Sequence, residues 1–284
     1  LPLEVQEKYI RSIDGFQEAT IVQPGYAVEY DYIDPRNLSK TLLYRDTENL
    51  FLAGQINGTT GYEEAGAQGL VAGINAALKV KKEKPWQPLR QNSYMGVLVD
   101  DLTRFGVSEP YRMFTSRAEH RLLLRQDNAD ERMFEDAKKL GALTKEREEV
   151  YLSKKENKAK NLKELKDKKI KFKGKQISLM SMCKRNDTTE KEVEALALCS
   201  REHFKETYYD IRYSGYVEKQ KREINKMKNL EEHKLGLIFD YGEVIGLSGE
   251  LQEKLNNKKP KNLYEASLLE GITPAALNVL TIHL

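Results

Sequence analysis

Residues 49–61 read Asn49-Leu50-Phe51-Leu52-Ala53-Gly54-Gln55-Ile56-Asn57-Gly58-Thr59-Thr60-Gly61, and small residues recur at one-turn intervals through the stretch from Tyr62 to Leu78. Asn49 to Ala53 has the length and apolar character of a buried strand, and the glycines after it punctuate a tight turn. Ala65, Gly66, Gly69, Ala72, Gly73 and Ala76 then mark a helix. Glycine disfavours an exposed helix, so this one is expected to form against a close-packed partner, buried beside a sheet. In a strand-to-helix turn the first N–H groups of the helix lack intrahelical partners, and glycines let an anionic or flavin group approach them. Spacing alone leaves two readings open, a ligand cradle and a plain tight turn.

Outward from this unit, Leu3 to Ile13 has helical apolar spacing, and Thr20 to Asp31 carries β-formers broken by Pro24-Gly25, which suggests a hairpin or bent strand pair. Pro85 and Pro88 mark a boundary beyond which charged amphipathic helices take over. Thr144 opens a long charged helix through Leu165, and Thr189 with Glu192 forms a capping box ahead of Val193 to Cys199. Lys171 to Gln176 reads as a linker. Ser248 precedes a helix through Leu255 that Pro260 ends, and Thr273-Pro274 starts the last helix. Leu268, Leu269, Ile272, Leu277 and Leu280 are expected to close a small three-helix core. The expected fold is α/β followed by all-α, in three parts: residues 1–83, 84–212 and 213–284.

A chain of 284 residues can bury a core without staples. With 32% charged residues and no apolar run of bilayer length, it reads as soluble, with no membrane segment. The opening Leu1-Pro2-Leu3-Glu4-Val5-Gln6 is neither a signal peptide nor a natural start, and is expected to lie within a longer protein. Cys183 and Cys199 are too far apart for a CxxC motif, and the four histidines show no metal-ligand spacing, so a reduced cytoplasmic protein without structural metal is expected. The net charge of +3 says little about partners, but eleven lysines stand against three acidic residues between Lys154 and Lys175. That excess fits phosphate attraction or a solvated helix.

Long blocks of the sequence carry a family resemblance. The run from Asn49 to Gly54 resembles the second FAD-contacting strand of two-dinucleotide-domain flavoproteins, with Gln55 where those proteins usually place an acidic residue. That departure, followed by Ile56 to Glu64, is similar to the MnmG (GidA) family rather than to a disulfide reductase. Tyr94 to Leu102, Glu109 to Leu122, Gly215-Tyr216-Val217 and Ile272 to Ala276 resemble the same family, so the likeness covers nearly the whole chain. It implies a truncated FAD-binding lobe joined to a helical C-terminal domain. The implied activity is FAD- and NADH-dependent modification of the tRNA wobble uridine at carbon 5. The one-carbon unit would come from methylenetetrahydrofolate, and the enzyme would be a homodimer assembled with the GTPase MnmE. In such chemistry the cofactors carry the difficult bond changes while protein positions the base and excludes water.

On that resemblance Gly54, Gln55, Asn57, Gly58, Thr59, Thr60 and Gly61 would hold FAD. The family's N-terminal GxGxxG fingerprint, NADH segment and catalytic cysteine motifs are not in this sequence. The catalytic residues are therefore unassigned, and the chain alone is expected to be inactive and to retain FAD poorly. If Phe114 to Gln126 is helical, Arg117, Arg121 and Arg125 form one basic stripe. With Arg112 they become the candidate tRNA contacts, against the alternative of ion pairs to Glu109, Glu119, Asp127, Asp130 and Glu131. Tyr208, Tyr209, Tyr213 and Tyr216 are read as packing rather than base-stacking residues, and His120 as a surface hydrogen-bonding group. Two rival functions stand beside this one: a disulfide-type flavin oxidoreductase, which needs a redox cysteine pair, and a non-catalytic tRNA-binding module.

Overall fold

The computed structural model describes residues 1–197, 202–236, 240–267, 269 and 271–283. Cys199 and Leu268 lie outside the described residues. By contact the chain divides into two units, Leu1–Arg90 with Tyr94–Arg117, and Gln91–Ser93 with Ala118–Leu284. The first helix beyond the Pro85-Pro88 boundary thus belongs with the first unit.

In the first unit, α1 spans Leu3–Arg11 and buries no residue. Its Gln6 amide clasps the backbone of Gly25, donating to the carbonyl at 3.0 Å and accepting from the N–H at 2.7 Å. The strand pair expected at Thr20 to Asp31 is absent: the segment is irregular, with Val22 at 98% exposure. Pro24 has no N–H for a ladder, and no described strand lies alongside. Asn49 to Ala53 likewise contributes one bridge, Phe51 to Leu43, instead of a strand.

Helix α2, Tyr62–Val80, turns Glu64, Gln68, Val71, Ala72, Asn75 and Leu78 inward. Val71 and Ala72 meet Leu38, Leu42 and Val99, with Phe51, Leu52 and Trp86 packed alongside. Gln68 and Asn75 on this face are seven apart, so both point at flanking loops. Asn75 holds Trp86 by its N–H at 2.9 Å and its carbonyl at 2.8 Å, and Gln68 holds the glycine turn. Gly66, Gly69 and Gly73 face outward, and a methyl added at any of them would meet nothing within 4 Å. The expectation that these glycines mark a close-packed sheet is therefore not met among the described residues. Helix α3, Tyr94–Phe105, adds Leu98 and Leu102 to a core closed by Tyr111.

The second unit is helical: α4 Ala129–Lys139, α5 Lys145–Asp167, α6 Leu179–Cys183, α7 Glu190–Leu196, α8 Phe204–Glu232, α9 Gly249–Lys258, α10 Leu263–Ser267 and α11 Pro274–Ile282. Its caps are those the sequence announces. Thr144 accepts from the Arg147 N–H, Thr189 and Glu192 form a reciprocal box, Ser248 accepts from Leu251, and Thr273 accepts from Ala276 ahead of Pro274. The Lys171 to Gln176 linker is instead a hairpin, β1 Lys169–Phe172 against β2 Lys175–Ser178, with Ile170 opposite Ile177. Lys173 and Gly174 both take positive φ, at 48° and 81°, which is the backbone a two-residue hairpin turn requires. Alternation sends Ile170, Phe172 and Ile177 against a core of Leu165, Leu179, Met182, Val193, Phe204, Tyr208 and Ile211. A second core gathers Tyr241, Val244, Leu255, Leu263, Ala266, Ala276 and Leu280, with Leu269, Ile272 and Leu277 against it, as the terminal leucine spacing implies.

Candidate functional site

The glycine turn is built on two positive-φ glycines flanking one 3-10 turn, Gln55–Asn57. Gly54 sits at φ 88°, ψ −144°, a region essentially reserved for glycine, and Gly58 at φ 83°, ψ 20°. A Cβ on Gly58 would lie 2.5 Å from Cγ2 of Val107 and 2.9 Å from Cε2 of Tyr32, so backbone and surroundings both exclude a side chain there.

Gln68 of α2, fully buried, fixes the turn from behind. Its Oε1 accepts from the Gly54 N–H at 3.1 Å and from Asn57 Nδ2 at 2.8 Å. Its Nε2 donates to Thr59 Oγ1 at 2.9 Å and to the Glu64 carbonyl at 3.2 Å. Asn57 in turn donates to the Leu52 carbonyl at 2.8 Å. On the far side Thr59 forms a parallel bridge with Tyr111, whose N–H donates to the Gly58 carbonyl at 2.8 Å. The Tyr111 hydroxyl donates to Asp101 at 2.7 Å, and Asp101 also pairs with Arg90. Burial, and then Asp101, push the Tyr111 phenol far above its ordinary range, so it serves as a fixed donor.

The N-terminus of α2 differs from the expected anion cradle. Its first turn carries Glu63 and Glu64, and the buried Glu64 carboxylate folds back so closely that a Cβ on Gly61 would fall 1.5 Å from it. Glu64 accepts from the Met113 N–H at 2.7 Å and from Arg112 Nε at 3.3 Å. Burial opposes its charge, but these donors outweigh it and hold the carboxyl below its ordinary value. The helix end is therefore served by its own carboxylates. The open face of the turn lies elsewhere, on a cleft of about 320 Å³ lined by Gln55, Gly58, Thr59 and Thr60 together with Tyr30 and Tyr32. Gly54, Asn57 and Gly61 stand behind that wall and shape it. The volume is at the low end for small-molecule sites, roughly 300–1,000 Å³, room for a ring system rather than a whole dinucleotide.

The arginine block is not a helix, because Thr115–Arg117 is a single 3-10 turn and residues 119–123 form turns. The four-residue spacing of Arg117, Arg121 and Arg125 thus makes no stripe. Arg112 is exposed and touches Glu64; Arg117 donates to the Arg112 carbonyl at 2.8 Å and lies 4.2 Å over the Tyr111 ring. Arg121 is exposed and makes no side-chain contact of this kind among the described residues. Arg125, in the second unit, is committed to Asp127 at 3.0 Å and to Asp210, and Asp127 is one of the ion-pair partners read as the alternative. Burial disfavours its charge, yet the two carboxylates raise its pKa overall. His120 is 8% exposed, a buried residue rather than a surface one. The sequence reading missed Gln68 and Glu64; their signal was a polar residue at inward positions of a helix otherwise made of small and apolar residues.

Fold and site together define a glycine turn set against a helix and continued into an all-helical region. Residues 1–84 match the family described as "Glucose inhibited division protein A", and residues 223–284 match "tRNA modifying enzyme MnmG/GidA C-terminal helical bundle". GidA from Aquifex aeolicus superposes in two crystal forms, at 38% identity over 100% of this chain, with TM-scores of 0.76 and 0.74. The chain spans about half of those proteins, 48% and 47% of their length. It belongs to the GidA (MnmG) family.

Proposed function

We propose that this chain works as the C-terminal part of a cytoplasmic, FAD- and NADH-dependent enzyme that modifies carbon 5 of the tRNA wobble uridine, as a homodimer assembled with MnmE. The observation that carries the reading is the cleft beside Gly58, Thr59 and Thr60, whose wall is the turn shared with the family and is fixed by Gln68. The residues fit a flavin: a Cβ at Gly58 would fill the wall, Tyr30 and Tyr32 offer ring faces, and the Thr60 hydroxyl is exposed. When bound, FAD with NADH and methylenetetrahydrofolate supplies the one-carbon chemistry. Gln55, Gly58, Thr59 and Thr60 would contact the ring system, while Gly54, Asn57 and Gly61 keep their backbone in place. The bulk of the chain then serves tRNA, with the exposed Arg112 and Arg121 and the half-buried Arg117 as its phosphate contacts, and the terminal bundle offers a surface to MnmE.

The test is a tRNA titration at two salt concentrations with Arg112→Glu/Arg117→Glu/Arg121→Glu. Charge reversal is expected to weaken binding and to flatten its salt dependence. Unchanged affinity dismisses the arginine assignment, and stoichiometric flavin absorbance of the purified chain dismisses the view that it supplies only one wall of the site.

A further inference from the structure

The hairpin of the second unit concentrates charge of one sign. From Lys168 to Asn186 the chain holds seven cations, Lys168, Lys169, Lys171, Lys173, Lys175, Lys184 and Arg185, and no carboxylate. The first acidic residue after them, Asp187, binds Lys173 and Arg185 at 2.7 Å each. Lys169, Lys171, Lys175 and Lys184 are exposed and have no ion-pair or hydrogen-bond partner for their ammonium groups among the described residues. The register explains the exposure. Ile170, Phe172 and Ile177 pack inward, so Lys169 and Lys171 stand on the outer face across from Ser178 and Gln176, while Lys175, paired with Phe172, belongs to the other face.

We infer that this basic ribbon is an RNA-phosphate contact, separate in sequence from the arginine loop. Lysines two apart on one strand repeat at roughly 6–7 Å, of the same order as successive phosphates of a nucleic-acid strand. Ammonium groups act as point charges on phosphate, without the fork that reads base edges or grips carboxylates, so the surface positions RNA without reading its sequence. A membrane surface is the weaker match: the outer face shows Lys169, Lys171, Gln176 and Ser178, with no apolar side chain to insert. The inference rests on the proposal that the chain serves tRNA, and adds a second point of attachment.

The test compares the full chain with Lys169→Gln/Lys171→Gln, using an unmodified tRNA transcript and, separately, vesicles containing phosphatidylglycerol. The substituted side chains are exposed and unpaired, so the thermal transition should stay in place. Two lost phosphate contacts are expected to lower tRNA affinity several-fold and to reduce the slope of log K against log salt by about 1–2. Unchanged affinity and slope in the double variant overturn the ribbon while leaving the tRNA reading intact. If the unsubstituted chain fails to bind tRNA, both fall. Vesicle binding lost in the variant with tRNA binding unaltered overturns the choice of RNA.

Discussion

Replacing Gln68 with leucine removes the amide that fixes the glycine turn while keeping the volume of the side chain nearly constant. The Gly54 N–H loses its acceptor, and Asn57 Nδ2 keeps only the Leu52 carbonyl. Thr59 Oγ1 loses its donor, but its hydroxyl can rotate to another partner. Two donors are thus stranded in a buried site, and each costs about 1–3 kcal/mol. The expected destabilisation of the first unit is therefore about 2–6 kcal/mol, which for a urea slope near 2 kcal/mol/M lowers the midpoint by roughly 1–3 M. Trp86 is the single tryptophan of the chain and packs in the same core as Val71, so its fluorescence follows the unit concerned. A drop of less than about 0.3 M would show that water or a rearranged loop replaces the amide, and the account of the turn would fail.

Gly58→Ala and Gly66→Ala should move stability in opposite directions. The first forces a side chain into left-handed backbone against Val107, while the second fills open space on α2 and should gain about 0.5–1 kcal/mol; equal effects in urea melts would contradict the geometry. The Glu64 carboxyl is held below its ordinary value of 4.5, so its contribution is present above that pH and fades as pH falls through the lowered value. Glu64→Gln should accordingly lose less stability than the unsubstituted chain between neutral and acid pH, and parallel acid melts would sink the claim. Burial raises the thiol of Cys183 to about 11, so in a Cys199→Ser background iodoacetamide at pH 8 should label it only after unfolding. Rapid labelling of the folded chain would restore a redox role for that residue.

Sequence reached what is decided locally. Thr144, Thr189, Ser248 and Thr273 satisfy nearby N–H groups with their own side chains, so the caps could be read directly. Asn49 to Ala53 failed as a strand because strand formation depends on a partner, and among the described residues its pairing amounts to the isolated bridge of Phe51 with Leu43. The hairpin at Lys169 to Ser178 was hidden by its lysines, although the alternation of Ile170, Phe172 and Ile177 around Lys173-Gly174 carried the signal. Arg125 was misplaced on a stripe because its fate is set by Asp210, eighty-five positions away. The turn itself was found, but the amide behind it was not: a glutamine among alanines and glycines looks like a surface residue until the buried face is known.

Helix α8 passes through both cores of the second unit, with Phe204, Tyr208 and Ile211 in one and its other end against α10 beside the other. Its 29 residues make a rod of about 44 Å, and the match to the terminal family bundle begins at residue 223, partway along it. The terminal bundle is therefore mounted on a stiff axle instead of being tethered by a string. Whatever docks on its last sixty residues delivers its push or twist to the aromatic cluster at Tyr208, damped only by the gentle flexing of the roughly six helical turns between Leu230 and Tyr208, and most easily near Gly215.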